Sequence, residues 1–237
     1  AIDAMRCGKA VAMEVGPASS LDECWSLVHT SEDTGLPCMM LENGCYEDQQ
    51  VTLLNMVRRG VFGELVYCAG GYQHDLRWEI GNGDLDRHYR QHHFLHRNGE
   101  IYPTHELGPI SKLLKINRGN RIVSLTAMSS KAAGLHEWFL QHRPDRPDLG
   151  AWKVTQGDVV GVLLRCANGE LIQLTHDCTL PRPFSQDFRV QGTKGVWREA
   201  GHNIFIEGYS GITEEEWDRW DSDKELFEKY RHPLWKA

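Results

Sequence analysis

No C-x-x-C pair occurs in this 237-residue chain, although it holds seven cysteines. An odd number of scattered cysteines without metal-type spacing argues against a disulfide frame or a zinc site, and for reduced, mostly buried thiols. A basic excess is missing too. The formal net charge is -7, so no positive field invites nucleic acid. No apolar run approaches the ~20 residues that cross a bilayer. The opening "AIDAMRCGKAVAMEV" lacks the basic-then-apolar order of a signal peptide, and the compartment stays open. Several catalytic signatures are absent as well. Without G-x-S-x-G there is no serine elbow, and without G-x-G-x-x-G no phosphate-cradling turn. No pair of acidic residues stands out as a glycosidase acid and base, because Asp and Glu are spread over polar segments. Neither an internal repeat nor a low-complexity segment is visible.

The residues that are present divide the chain near position 62. "DAMRCGK" reads as a helix end closed by Gly8, and "AVAMEV" as a short buried strand. "SSLDECWSLVHTSEDTG" reads as a helix capped by Ser19 or Ser20 and ended by Gly35. "LPCMMLEN" is a second strand, and "DQQVTLLNMVRRGVFG" a helix with Val51, Leu54 and Val57 on one face. Strand, helix, strand, helix with short loops predicts a parallel α/β unit. From Gly63 onward the character changes. "GELVYCAGGYQHDL", "NRIVSLTAMSSKAAG", "GDVVGVLLRCANG", "GELIQLTHDCTL" and "QDFRVQGTKGVWRE" are extended, β-branched runs separated by turns, which predict an antiparallel sheet. The expected fold class is α/β plus α+β: the parallel unit, then a large, mostly antiparallel sheet with helices on one face. Residues 135–153, with two prolines and alternating charges, read as an exposed loop. The acidic, aromatic stretch "TEEEWDRWDSDKELFEKYRHPLWKA" reads as a surface helix or ordered arm.

Chemistry concentrates at "NGEIYPTHELGPISKLLKI". Thr104 stands where an N-cap hydroxyl belongs, and Leu107, Ile110, Leu113 and Leu114 have the spacing of a buried helical face. His105 then falls in the first helical turn, as a substrate-facing hydrogen bonder or as a plain capping residue. The run "DRHYRQHHFLHR" brings His88, His92, His93 and His96 together. Nearby arginines and the lack of an H-E-x-x-H pattern weigh against a metal, and favour a polar loop over a pocket with Arg90 as its anion or hydroxyl binder. "MEVGP" and "LENGCY" end neighbouring parallel strands, which places Glu14 and Asn43 at one crevice. Tyr72 and His74 come from "GGYQHDLR", Tyr102 from "YPTH".

Taken together, "AMRCGKAVAMEVGPASSLDECWSLV", "LENGCYE", "GGYQHDLR", "NGEIYPTHELGPISKLL", "MSSKAAG", "THDCTLPRPFS", "QGTKG" and "HPLWK" resemble glycoside hydrolase family 109. That family lies within the glucose–fructose oxidoreductase/inositol dehydrogenase superfamily, and the resemblance spans essentially the whole chain. It implies that residues 1–62 are the last part of a Rossmann-type nucleotide-binding domain and that 63–237 bind substrate and mediate oligomerisation. It further implies that the chain begins after the glycine fingerprint and stops short of the family's usual end. The implied activity is an NAD-dependent α-N-acetylgalactosaminidase working by oxidation, elimination, addition and reduction, with a carbohydrate substrate and a homo-oligomer formed through the sheet face. Family members are often exported. By motif, Glu14, Val15 and Asn43 contact NAD. Tyr72, Arg90, Tyr102, Pro103, Thr104 and His105 line the sugar pocket, with Tyr102 and His105 catalytic. Phe184 stands where the family typically has a pocket tyrosine, and a glycine follows Val15 where a proline is expected. Val15 itself replaces the lysine of the superfamily's dehydrogenases, which favours a hydrolase over a net sugar dehydrogenase. The remaining alternative is a non-catalytic sugar-binding or oligomerisation module.

Overall fold

The computed structural model describes residues 1–211 and 218–235. Helix α1 (Ile2–Arg6) leads into β1 (Val11–Met13), α2 (Leu21–Thr34) and β2 (Cys38–Met40). The two strands pair in parallel, with Val11 opposite Cys38. Ser20 caps α2 by accepting from the Glu23 N–H at 3.2 Å, while the Glu23 carboxylate accepts from the Ser19 N–H at 2.6 Å. Gly35 closes the helix at φ 64°, a left-handed conformation that side chains resist.

A 3-10 turn (Asn43–Tyr46) and α3 (Asp48–Arg58) lead to the large sheet, which opens with β3 (Leu65–Gln73). Next come α4 (Arg77–Gly81), α5 (Gly83–Asp86), α6 (Tyr89–His96) and α7 (Thr104–Leu113), and then β4 (Ile122–Ser129). Helices α8 (Gly134–His142) and α9 (Pro147–Ala151) precede β5 (Val159–Cys166) and β6 (Leu171–Asp177). The described chain continues through β7 (Arg189–Gly192), β8 (Gly195–Arg198), β9 (Asn203–Ile206), β10 (Asp221–Ser222) and α10 (Lys224–Tyr230). Among the described residues the strand order is β10-β9-β8-β7-β3-β6-β5-β4. All neighbours are antiparallel except β3 and β6. The architecture is therefore the α/β plus α+β class that the pattern predicts. The parallel pair is not legible in sequence, because the path from β3 to β6 runs through many intervening elements.

Alternation along β5 turns Val160, Val162, Leu164 and Cys166 to one face. They share an apolar cluster with Leu53 and Met56 of α3 and with Ile110, Leu113 and Leu114, so the expected buried face of α7 forms. On α3 Val51, Leu53 and Met56 are the buried apolar residues, while Leu54 and Val57 of the expected face pack only partly. All seven cysteines are free. Cys45, Cys68, Cys166 and Cys178 are buried, Cys38 is half-buried, and Cys7 and Cys24 are exposed.

The segment 135–153 departs from the expected loop. It forms α8 and α9, and Leu135, Trp138, Phe139 and Leu149 are buried. Positions 135, 138 and 139 have helical spacing, and Pro147 sits in the first turn of α9, where its missing N–H costs nothing. Near the other end of the chain, Leu226 buries part of α10; residues 213–217 and 236–237 of the predicted arm lie outside the described residues.

Asp158 anchors the start of α8. Its carboxylate accepts from the Ala133 N–H at 2.7 Å, the Gly134 N–H at 3.0 Å and the Thr179 hydroxyl at 2.7 Å. A Cβ on Gly134 would stand 1.9 Å from the Thr179 carbonyl oxygen, a backbone atom that no rotamer change can move. Gly134→Ala is expected to cost about 3 kcal/mol through this overlap. Urea denaturation checks it: the midpoint should fall, and a wild-type midpoint refutes the claim.

Candidate functional site

Tyr72 lies near the carboxyl end of β3, opposite His176 of β6. Arg90 comes from α6, and Tyr102 and His105 from the run into α7. The four groups meet. The Tyr72 and Tyr102 ring centroids are 4.6 Å apart, and His105 is 5.8 Å from the first and 5.2 Å from the second. Arg90 donates to the Tyr72 hydroxyl at 2.8 Å, and its guanidinium carbon lies 5.3 Å from the Tyr102 ring and 5.2 Å from Tyr89. Glu79 takes the other arm of the guanidinium. Its carboxylate also lies 3.0 Å from His88 Nε2. The expected polar loop over residues 86–97 is instead the helix α6, with His88 at its N-cap. His92 and His96 pack ring to ring at 4.5 Å. Among the described residues no group of three or more His, Cys, Asp or Glu side chains is arranged to hold a metal ion.

Pro103, in helical conformation, is the residue that precedes α7; Thr104 is therefore not the N-cap. The Thr104 hydroxyl is buried without a hydrogen-bond partner. Burial pushes the pKa of both phenols up. At Tyr72 the Arg90 charge opposes that rise; at Tyr102 the neighbouring Tyr89 adds to it and Arg90 opposes it. Both phenols hence hold their protons at neutral pH. Burial, and then the Arg90 charge, lower His74.

The remaining expected residues surround this cluster at different distances. Phe184 is exposed and meets the His74 ring edge-on at 5.5 Å, and His74 in turn lies 4.6 Å from Tyr72. Glu14, exposed just after β1, exerts its charge on the Tyr102 phenol and accepts from the Val15 N–H at 2.8 Å. Asn43 is exposed beyond β2. Neither Val15 nor Asn43 hydrogen-bonds into the cluster.

Sequence reading misses the carboxylates behind the cluster. Glu42 lies 2.7 Å from His105 Nδ1. Glu100 accepts from the Tyr102 N–H at 2.9 Å and lies 3.1 Å from His176 Nδ1, whose ring stacks 6.0 Å from Tyr72. Their signal was adjacency: Glu42 precedes Asn43, and Glu100 precedes "IYPTH" by one residue.

Glu106 is the most deeply placed acid, fully buried, with both carboxyl oxygens lacking a hydrogen-bond partner. Burial first, and then the negative charges of Glu100 and Glu42, raise it to about 9. An unfolded glutamate titrates near ~4.3, so between there and about 9 the folded state holds a proton that the unfolded state has lost. Stability must fall as pH rises through this window. Glu106→Gln is expected to remove most of that slope and to exceed the wild type by about 2 kcal/mol at pH 8. Urea melts from pH 5 to 9 check it; parallel curves for the two proteins refute it.

The fold is that of oxidoreductases. An inositol dehydrogenase homologue from Azotobacter vinelandii, solved with NADH and myo-inositol, aligns with 97% of this chain and 59% of its own at TM-score 0.63 and 15% identity. An oxidoreductase from Agrobacterium radiobacter, solved with NAD+, L-tartaric acid and magnesium, aligns with 90% of this chain and 55% of its own at TM-score 0.60 and 18% identity. In sequence, residues 46–237 match the glycosyl hydrolase 109 C-terminal domain, and the chain belongs to that family. It is 40% identical over its full length to a glycosyl hydrolase family 109 protein of Parabacteroides distasonis and, equally, to an α-N-acetylgalactosaminidase of Tannerella forsythia. The chain covers 54% of each of these relatives.

Proposed function

We propose that this chain is the sugar-facing part of a glycosidase that acts on α-linked N-acetylgalactosamine with NAD as a retained cofactor, its residues 1–62 belonging to the nucleotide-binding domain and 63–237 to the substrate domain. The observation that carries the reading is the contact cluster of Tyr72, Arg90, Tyr102 and His105. Glu42, Glu79 and Glu100 are each engaged with a histidine or an arginine, so phenols and an imidazole meet the substrate instead of an acid/base carboxylate pair. The sugar class follows from the Tannerella forsythia relative.

Glu14 and Asn43, exposed beyond the carboxyl ends of a parallel strand pair, fit a dinucleotide, which α/β sheets hold at such ends. With Val15 they would hold NAD. The chemistry that NAD supplies when bound is reversible hydride acceptance at the sugar C3, which acidifies the C2 proton. Tyr102, protonated at rest, handles the proton at the C3 oxygen. His105 orients the ring and takes the C2 proton. Arg90, set between Glu79 and Tyr72, orders the phenols, and Phe184 covers the outer edge beside His74.

The reading also includes self-association through the uncovered sheet face, where Leu163 and Leu171 are exposed. Light scattering should report a multimer.

The test uses the full-length gene product, recording whether NAD copurifies and assaying aryl α-N-acetylgalactosaminides. Hydrolysis without accumulating NADH is expected. Stoichiometric NADH would make the protein a net sugar dehydrogenase, and sugar binding without cofactor or turnover would make it a binding module.

A further inference from the structure

Glu42 is built into its place. The residue is 5% exposed, and one carboxylate oxygen lies 2.7 Å from His105 Nδ1 while accepting from the Gly44 N–H at 2.9 Å. Two glycines leave room for this contact. A Cβ on Gly108 would stand 2.8 Å from Glu42 Cγ, and one on Gly44 would stand 3.0 Å from the carboxylate oxygen and 3.2 Å from the His105 carbonyl. Gly108 is one helical turn beyond His105 on α7, so the helix face that carries the imidazole also seats the acid. The second carboxylate oxygen is buried without a partner. The acid's visible work is therefore the His105 contact and the Gly44 turn.

A carboxylate is an acceptor, so the nitrogen facing it carries the proton. We infer that Glu42 is a positioning residue that fixes His105 as the Nδ1–H tautomer, leaving Nε2 as the nitrogen with a free lone pair. The ring that carries Nε2 packs against Tyr102 and Tyr72. This inference rests on the proposed glycosidase reading for its catalytic consequence: Nε2 is then the atom through which His105 takes the C2 proton. Glu42 itself touches no substrate.

The experiment is side-chain nitrogen NMR on the 15N-histidine-labelled full-length gene product, wild type and Glu42→Gln, alongside kinetics. The wild type is expected to show His105 protonated on Nδ1. Glu42→Gln, nearly the same in shape, is expected to populate the Nε2–H form and to lower kcat on the order of 100-fold with KM little changed, since an Nε2 that already carries a proton has no lone pair to take another. A wild-type Nε2–H signal, or an identical tautomer in Glu42→Gln, overturns the inference. The tautomer is read without turnover, so an inactive wild type that still shows the Glu42-dependent Nδ1–H form defeats the glycosidase reading and leaves the pairing standing.

Discussion

His105→Asn is expected to lower turnover of α-N-acetylgalactosaminides by about 1000-fold in the full-length protein while leaving its stability close to wild type. Asparagine places an amide N–H roughly where His105 has Nδ1, so the donor to Glu42 at 2.7 Å survives. The group on the far side of the ring is lost. His105→Ala is the less informative change. It strips a nearly buried carboxylate of its partner, leaving the Gly44 N–H, and adds about 1 to 3 kcal/mol of destabilisation to the catalytic loss. Steady-state rates paired with urea melts decide the matter. An asparagine variant with wild-type kcat would remove His105 from the chemistry.

The second large effect is structural. Arg143→Ala is expected to destabilise the protein by about 3 to 5 kcal/mol, the usual cost of breaking a buried ion pair from one side. Arg143 is 5% exposed at the end of α8 and grips Asp84 with two hydrogen bonds at 2.7 and 3.0 Å. It also donates to the Gly81 carbonyl at 2.8 Å and to Asp145 at 3.1 Å. These bonds tie α8 to the α4–α5 corner that carries Glu79, the partner of Arg90. Lysine would keep the charge but lose the forked geometry, so Arg143→Lys should recover only part of the stability.

The pair also has a pH signature. Hydrogen bonding to Arg143 lowers Asp84 to about 2. An unfolded aspartate titrates near ~3.9, so the pair's stabilisation is complete above that value and is lost as pH falls through about 2. Urea melts from pH 5 down to 2 should show the gap between wild type and Arg143→Ala narrowing toward the acid end. A constant gap would separate Arg143 from the titration of Asp84.

Much of the fold was legible because it depends on local order. Ser20 and Gly35 bound α2 as read, β3 to β8 fall on the extended runs while β9 and β10 lie outside them, and "LGPISKLL" buries the stripe its spacing predicts. The segment 135–153 was misread because its prolines and charges mask Leu135, Trp138 and Phe139, whose burial depends on partners far away in sequence. Of the candidate site, Tyr72, Arg90, Tyr102 and His105 were named from motifs and do meet. The carboxylates that hold them were not, since an isolated glutamate in a sequence looks like any solvated charge.

Composition and periodicity alone were enough to set an α/β plus α+β chain without metal-type cysteine spacing, and short motifs to nominate the aromatic, arginine and histidine groups. Those properties act over a few residues and are written along the chain. Only folding in three dimensions decided that β3 pairs in parallel with β6, that Glu42 lies against His105, and that Glu106 is sealed from water. Each of these joins or encloses groups far apart in sequence, and the strength of a charge or a hydrogen bond depends on the distance and the solvent that such packing sets.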